Sequence, residues 1–458
     1  MTLNRSSFLV VCFACLTFFF LGMHDEHRVL HAHDFKQPYA SARCQLFGCD
    51  PYSETETASQ FASAGGNLQQ DPRVFAPYSA LYPPSSLALL APIAVLAYPV
   101  AHLLWLILCG VSFSLAALLV TDLCRPYQSH PVILLLAVFV ASSTILIMLG
   151  QVSGIAISLA IIGFWCFLRE RYVWAGIFCL ALSLTLKPHV AGLLVCYLLI
   201  AGRQHRTRFW RVVLVTALLS SIGVIWATTQ PALHNWLPEL RANLAGNTSS
   251  GNVGDPTPAN PEAFNIASLQ TVTGEFLSHR NAVLAAYAIA AILLAGWLYA
   301  SWKIPPSESK HLLALAGLAA ITLLPIYHRQ YDTRLLLLAF PAVALLCRRR
   351  VVWGVVGFVL LTLATVMTSH VYLHVMETHA VRLAANKGAL MTIALMRPLP
   401  VITLAVAVFF VAAMVRLSLD TGIAATPGAS DEGQAACSAA VPAPIILRVG
   451  SSGRTSSV

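Results

Sequence analysis

The chain begins with an apolar stretch at residues 6–23, SSFLVVCFACLTFFFLGM, which follows a single basic residue, Arg5. Its length is close to the roughly 20 residues that an α-helix needs to cross a bilayer. A secretory signal peptide is the alternative, but no small-residue cleavage site follows the stretch. The pattern therefore predicts a first membrane helix whose N-terminus lies in the cytoplasm.

Similar apolar stretches recur along the whole chain. Its 458 residues are 57% hydrophobic and 10% charged, whereas a soluble domain is about 25% charged. Backbone groups in lipid must be satisfied within their own segment, so the stretches are predicted helices of an all-α polytopic membrane protein with roughly twelve transmembrane helices. The later stretches are 100–121, 131–149, 155–168, 174–186, 190–201, 209–227, 282–302, 312–326, 335–347, 351–369 and 401–417.

Two long polar segments, 24–86 and 228–281, interrupt this predicted membrane domain, which spans residues 1–417. Loops of such length are often functional. The apolar residues 87–96 are too few to cross the bilayer and are predicted to be re-entrant or interfacial. The small, polar residues after 417 predict a disordered cytoplasmic tail, 418–458.

Basic residues set the predicted orientation. The net charge is +9, but the arginines and lysines are dispersed between apolar stretches, which argues against a nucleic-acid site. With the N-terminus inside, every dense basic cluster falls in the cytoplasm, as the positive-inside rule requires. The clusters are Arg169 with Arg171, residues 203–211, Lys303 with Lys310, and residues 348–350.

The remaining polar residues gather on the predicted outer face. Charges at membrane depth are costly and are therefore functional candidates. A carboxylate could act as general base, and cations could hold a donor phosphate. The predicted catalytic residues are Asp34 and His328, and the predicted substrate-binding residues are Lys187, Arg329, Arg334, Gln151, Tyr39 and Tyr82.

Structural alternatives stay open for these residues. Asp34 is equally an ordinary loop carboxylate, and Lys187 a helix-end lysine that reaches toward headgroups. His328 and Arg329 could cap a helix through Asp332. Cys44 and Cys49 are predicted either as a small disulfide or as two free thiols. No metal or cofactor is predicted, because the spacing of His31, His33 and Asp34 is nonspecific.

At these residues the chain resembles the polytopic glycosyltransferases of family 87, in the GT-C superfamily. This family includes bacterial polyprenol-phosphate-mannose-dependent mannosyltransferases. The resemblance covers about residues 8–417. Two features depart from the family: Ser153 stands where Asn is common, and the first loop carries extra polar residues at 53–74. The matching pieces are Asp34-Phe35, Tyr39, Ala42, Gly48, Pro51-Tyr52, Tyr82-Pro83-Pro84, Gly150-Gln151, Lys187-Pro188 and the turn at His328.

The resemblance implies a GT-C fold and transfer of a hexose, such as mannose, from a polyprenyl-phosphate sugar to a lipid or glycan acceptor. Transfer would invert the anomeric carbon on the outer, periplasmic face of the inner membrane, with Asp34 as base and both termini cytoplasmic. A transporter or flippase of a lipid-linked sugar is the alternative, and a glycan polymerase or ligase is a third. A transporter should carry polar residues at the bilayer midplane in two related halves, and no clear halves are seen.

Overall fold

A computed structural model describes residues 5–26, 33–69, 80–260, 262–369, 372, 375–376 and 388–424. Its α-helices are α1 (Arg5–Asp25), α2 (His33–Phe47), α3 (Glu54–Ser63), α4 (Pro84–Ala94), α5 (Tyr98–Cys124), α6 (His130–Ala141), α7 (Ile145–Met148), α8 (Val152–Leu168), α9 (Val173–Leu186), α10 (Pro188–Tyr197), α11 (Arg203–Thr228), α12 (Trp236–Asn247), α13 (Gln270–Thr273), α14 (His279–Lys303), α15 (Glu308–Thr322), α16 (Phe340–Arg349), α17 (Val351–Met367), α18 (Ala389–Met396) and α19 (Pro398–Ala424). A longer 3₁₀ helix, Gln330–Ala339, leads directly into α16.

The prediction of an all-α polytopic membrane protein is confirmed for these residues. Seven helical segments are long and apolar enough to cross a bilayer, and shorter apolar helices lie among them. The predicted count of twelve stays a prediction. The seven segments are Ser6–Asp25, Tyr98–Tyr127, His130–Met148, Arg203–Thr228, His279–Lys303, Gln330–Arg349 and Pro398–Leu419.

The basic clusters meet at one end of the bundle. Arg169, after α8, bonds Asp122 of α5 at 2.8 Å, and Arg208 of α11 pairs with Glu170. Arg349, at the end of α16, donates to Ser309 of α15 at 2.8 Å. We call this the basic end. The connections that carry Asp34, Gln151, Lys187 and Asp332 meet at the opposite end, which we call the polar end.

The first long polar segment is helical where a loop was expected. Asp34 lies in the first turn of α2, where a negative charge suits the helix dipole. Residues 35–42 of α2 are all buried, and Phe35 among them is stacked on Trp105 of α5 at a centroid distance of 4.8 Å. Beyond α2, the structure joins Cys44 and Cys49 in a disulfide, with a Cα–Cα distance of 4.6 Å.

The second long polar segment contains α12 and α13 and is attached to the polar end by backbone hydrogen bonds. Ile266 forms an antiparallel bridge with Arg329, and the Ala267 amide donates to the His328 carbonyl at 2.7 Å. This pairing fixes the segment beside the turn that carries His328 and Asp332. At the far end of the chain, α19 continues past the predicted boundary at 417 to Ala424, and residues 425–458 of the predicted tail lie outside the described residues.

Candidate active site

Asp34 and Gln151 are brought into direct contact, although 116 residues separate them in sequence. The Gln151 amide donates to Oδ2 of Asp34, and the Asp34 backbone N–H donates to the Leu149 carbonyl at 3.0 Å. Gly150 permits this tight turn because its φ is +61°, a left-handed conformation that glycine adopts without strain. The turn at Gly150-Gln151 therefore positions the carboxylate.

Lys187 lies at a break between two helices. Pro188 cannot continue the hydrogen bonding of α9, and it restricts Lys187, which ends α9 in an extended conformation at φ −150° and ψ 81°. The side chain turns inward rather than toward lipid headgroups. Its ammonium donates to the Ser153 hydroxyl and pairs with Oδ1 of Asp332 at 3.0 Å.

Asp332 is a buried carboxylate with three hydrogen-bond partners. Besides Lys187, it contacts Nδ1 of His328 through Oδ2 at 3.1 Å and accepts from the Arg329 amide at 3.2 Å. This is the helix-capping arrangement that the sequence left open as the structural alternative for His328. The Nε2 atom of His328 is buried and has no hydrogen-bond partner among the described residues.

Two tyrosines and an arginine lie near Asp34. Tyr82 and Tyr327 both lie within electrostatic range of the two carboxylates. Burial raises the pKa of Tyr327 to about 12 and raises that of Tyr82 as well, so both phenols keep their protons at neutral pH and can donate hydrogen bonds. Arg329 lies in range of Asp34 too.

The Arg329 guanidinium pairs with a solvent-exposed carboxylate. One of its nitrogens bonds Glu262 of the second polar segment at 3.0 Å, and the Glu262 side chain is 54% exposed. An arginine carries five N–H donors, so this single contact leaves donors for a substrate. We call the group formed by Asp34, Gln151, Ser153, Lys187, His328, Arg329 and Asp332, with Tyr82 and Tyr327, the polar cluster.

Two predicted site residues lie outside the polar cluster. Tyr39 is buried, and its hydroxyl donates to the Leu96 carbonyl at 2.7 Å. Arg334 is also fully buried and donates to the hydroxyl and the carbonyl of Thr368, both at 2.6 Å. Both side chains hold helices together, so the structure gives neither of them a place beside Asp34.

Comparison with known sequences decides the family. A sequence model described as glycosyltransferase family 87 matches residues 80–327, which is more than half of the chain. The chain belongs to glycosyltransferase family 87. The resemblance that the sequence motifs indicated is therefore confirmed, and the protein is a membrane glycosyltransferase. Neither curated proteins nor solved structures gave a match.

The family match covers only part of the polar cluster. It includes Tyr82, Gln151 and Lys187 but begins after Asp34 and ends before Asp332. In this family 87 glycosyltransferase, the fold brings both carboxylates against residues inside the matched range: Gln151 contacts Asp34, and Lys187 contacts Asp332. The polar cluster is thus assembled around residues that the family match contains.

Several members of the polar cluster were not predicted as site residues. Ser153 was noted only as a departure from the family pattern, yet its hydroxyl accepts from Lys187. Nothing in the sequence indicated a role for Tyr327 except that it directly precedes His328. The His328–Asp332 spacing of four residues was the clue to Asp332, but sequence alone left open which cation it would pair with. The structure shows Lys187 in that role.

Three groups near Lys187 have ligand types that metals favour. Atoms of His189, His328 and Asp332 lie within 4.8 Å of one another, and the two imidazole rings are 5.0 Å apart. In this structure Lys187 already supplies positive charge to Asp332. The charge of this carboxylate is thus balanced by a protein side chain.

Proposed function

We propose that this family 87 glycosyltransferase transfers a hexose from a polyprenyl-phosphate sugar to a hydroxyl of a lipid or glycan acceptor, with inversion. The observation that carries the proposal is the contrast between the two carboxylates of the polar cluster: Asp332 forms an ion pair with Lys187, whereas Asp34 accepts from the neutral amide of Gln151. Cations and neutral phenols surround both groups. This arrangement suits proton removal from an acceptor beside a departing phosphate.

Asp34 is the carboxylate that we assign as general base. Among the described residues its side chain has one hydrogen-bond donor, the neutral amide of Gln151, and it is half-buried rather than enclosed. Asp332 is buried and contacts Lys187, His328 and the Arg329 amide. Protonating Asp332 would weaken its contact with a buried lysine, whereas protonating Asp34 breaks no ion pair.

The proposed reaction is a single displacement. The acceptor oxygen forms a bond to the anomeric carbon while its proton passes to Asp34, and the bond from that carbon to the phosphate oxygen breaks. Attack from the face opposite the phosphate inverts the anomeric carbon. The polyprenyl phosphate departs with an additional negative charge, which Arg329 and Lys187 are placed to stabilise.

Tyr82 and Tyr327 complete this proposal as neutral donors. Because burial raises the pKa values of both groups, neither adds negative charge to a region that already holds two carboxylates. Their hydroxyls suit sugar hydroxyls or phosphate oxygens. His328, which was predicted to be catalytic, contacts Asp332, and we propose that it positions that carboxylate and, through it, Lys187.

The membrane orientation supports placing this chemistry on the outer face. The basic end carries the clusters around Arg169, Arg208 and Arg349, and such clusters favour the cytoplasm. The polar cluster lies at the other end. For an inner-membrane protein this corresponds to the periplasmic face, with α1 starting and α19 ending on the cytoplasmic side.

The proposal is tested by supplying purified protein with radiolabelled polyprenyl-phosphate sugars, with sugar nucleotides in parallel, and with a mixed lipid extract as acceptor. Transfer from a polyprenyl-phosphate sugar, with an inverted product and no transfer from nucleotides, is expected. Transfer from nucleotides alone would refute the donor class. Translocation of a labelled lipid-linked sugar across vesicles without any transfer would favour the transporter alternative.

A further inference from the structure

Buried polar atoms without a hydrogen-bond partner collect at the pairing between Ile266 and Arg329. Asn265 and Gln330 flank this bridge. The Oδ1 atom of Asn265 and the Oε1 atom of Gln330 are buried and have no partner in the part of the chain that the structure describes, and the same holds for Nε2 of His328. Folded proteins rarely leave such atoms unpaired, because each one costs free energy of desolvation. Three at one pairing indicate groups that serve a ligand.

The antiparallel pairing directs these side chains to one face. Ile266 and Arg329 both have extended backbones, with φ of −92° and −91°, and residues beside a bridged pair point to the face opposite that pair. Ala267 contributes only a methyl group to this face, so its polar atoms come from the other three members. The members of this face are Asn265, Ala267, His328 and Gln330.

This face borders the cation that we assign to the donor phosphate. His328 contacts Asp332 at 3.1 Å, and Asp332 pairs with Lys187 at 3.0 Å. Asn265 is partly exposed, whereas Gln330 is only 6% exposed and His328 is fully buried. The face therefore runs from the protein surface into the polar cluster.

The chemistry of the face suits hydroxyl groups rather than phosphate. The side-chain amides of Asn265 and Gln330 are uncharged, and each carries donors as well as an acceptor. A sugar hydroxyl also donates and accepts, so it can bond an amide in either orientation. Phosphate oxygens only accept, and charged donors such as Lys187 and Arg329 bind them more strongly than a neutral amide does.

We propose that Asn265 and Gln330 recognise hydroxyl groups of the transferred hexose and thereby determine which hexose is accepted. This rests on the proposed function, in which Lys187 and Arg329 hold the donor phosphate. The hexose is bonded directly to that phosphate, so its hydroxyls lie beside the cations, where this face is found. The bound sugar supplies the partners that the two amides lack, and an analogue without the matching hydroxyl leaves one amide unpaired.

Ordered water could satisfy the same atoms and would give them a purely structural role. Both roles predict a loss of stability on substitution, so the two are separated by donor selectivity instead. Gln330→Met and Asn265→Leu keep the approximate shape of each side chain and remove the amide. The matched control is Gln270→Met, which removes an amide of similar burial that already donates to the Pro325 carbonyl at 2.6 Å.

The measurement compares kcat/KM for the active donor with kcat/KM for analogues that each lack one sugar hydroxyl, using the full-length protein in micelles. The wild type should prefer the complete donor by at least about tenfold over an analogue that lacks a recognised hydroxyl. Gln330→Met should lose this preference for one hydroxyl only, and Asn265→Leu for a different one. Gln270→Met should keep the wild-type pattern.

The proposal is overturned if both variants keep the wild-type selectivity at a lower rate, or if Gln270→Met loses the same preference. Transfer from sugar nucleotides alone would contradict the proposed donor class instead. The same series is then made from nucleotide donors, and unchanged selectivity in Gln330→Met and Asn265→Leu would still refute the recognition. Equilibrium dialysis of the series needs no transfer: each variant should bind the complete donor as weakly as the wild type binds the matching analogue, and binding at wild-type strength would contradict the proposal.

Discussion

Replacing Lys187 by methionine removes the charge that pairs with the buried Asp332 carboxylate. Methionine keeps much of the apolar length of lysine, so packing against the Tyr331 ring, which lies 5.2 Å from the ammonium, is largely preserved. Asp332 would keep its contacts with His328 and the Arg329 amide. The carboxylate would nevertheless remain buried without its nearest cation.

The expected cost follows from this geometry. Removing one partner of a buried ion pair typically lowers stability by about 3–5 kcal/mol, because the other charge stays uncompensated. Asp332 has a side chain that is only 3% exposed, which places this pair in the buried class. The double variant Lys187→Met with Asp332→Asn removes both charges, so it should recover at least about 2 kcal/mol of that loss.

The assay is reversible unfolding in mixed micelles, followed by near-ultraviolet circular dichroism, for wild type, both single variants and the double variant. The prediction is a strongly destabilised Lys187→Met, a partly restored double variant, and transfer activity that stays low in both because Lys187 is missing. A Lys187→Met protein as stable as wild type would refute the argument. A double variant that is destabilised by the sum of the single variants would refute it as well.

Two further substitutions separate positioning from structure. Gln151→Ala should lower the rate of transfer by about 10- to 100-fold, because it removes the hydrogen bond that orients Asp34 and such a bond to a charged group contributes about 1.5–3 kcal/mol. Donor binding, measured by equilibrium dialysis, should stay unchanged. Arg334→Met should lower the free energy of unfolding by about 1–3 kcal/mol, because it leaves the buried Thr368 carbonyl without this hydrogen-bond donor. Transfer per folded molecule should stay near the wild-type rate. A loss of transfer in well-folded protein would show that Arg334 acts in the active site.

The apolar stretches predicted most of the fold because membrane helices need long apolar segments. The stretches at 209–227 and 282–302 fall inside α11 and α14. The helices α2 and α3 were not predicted, since they lie in a polar segment. Helix α2 is buried on every face over residues 35–42, but several of the buried side chains, such as Lys36, Gln37 and Ser41, are polar. Their apolar residues are too dispersed to resemble a membrane span.

The candidate site was only partly predictable for a related reason. Sequence order and turns indicated that Asp34, Gln151 and Lys187 approach the same end, but they gave no direction for individual side chains. Arg334 follows Asp332 by two residues on the same 3₁₀ helix, and the two side chains have entirely different partners. Such directions depend on packing between distant helices, which one sequence without an alignment does not reveal.

The most direct test of the central claim is the Asp34→Asn variant, assayed separately for donor binding and for single-turnover transfer from the active polyprenyl-phosphate sugar. Glu54→Gln, which alters an exposed carboxylate in α3, is the matched control. We predict that Asp34→Asn binds the donor like wild type but transfers at least about 1,000-fold more slowly, as expected when a general base is lost, while Glu54→Gln is unaffected. Transfer by Asp34→Asn within tenfold of the wild-type rate would show that another group accepts the proton.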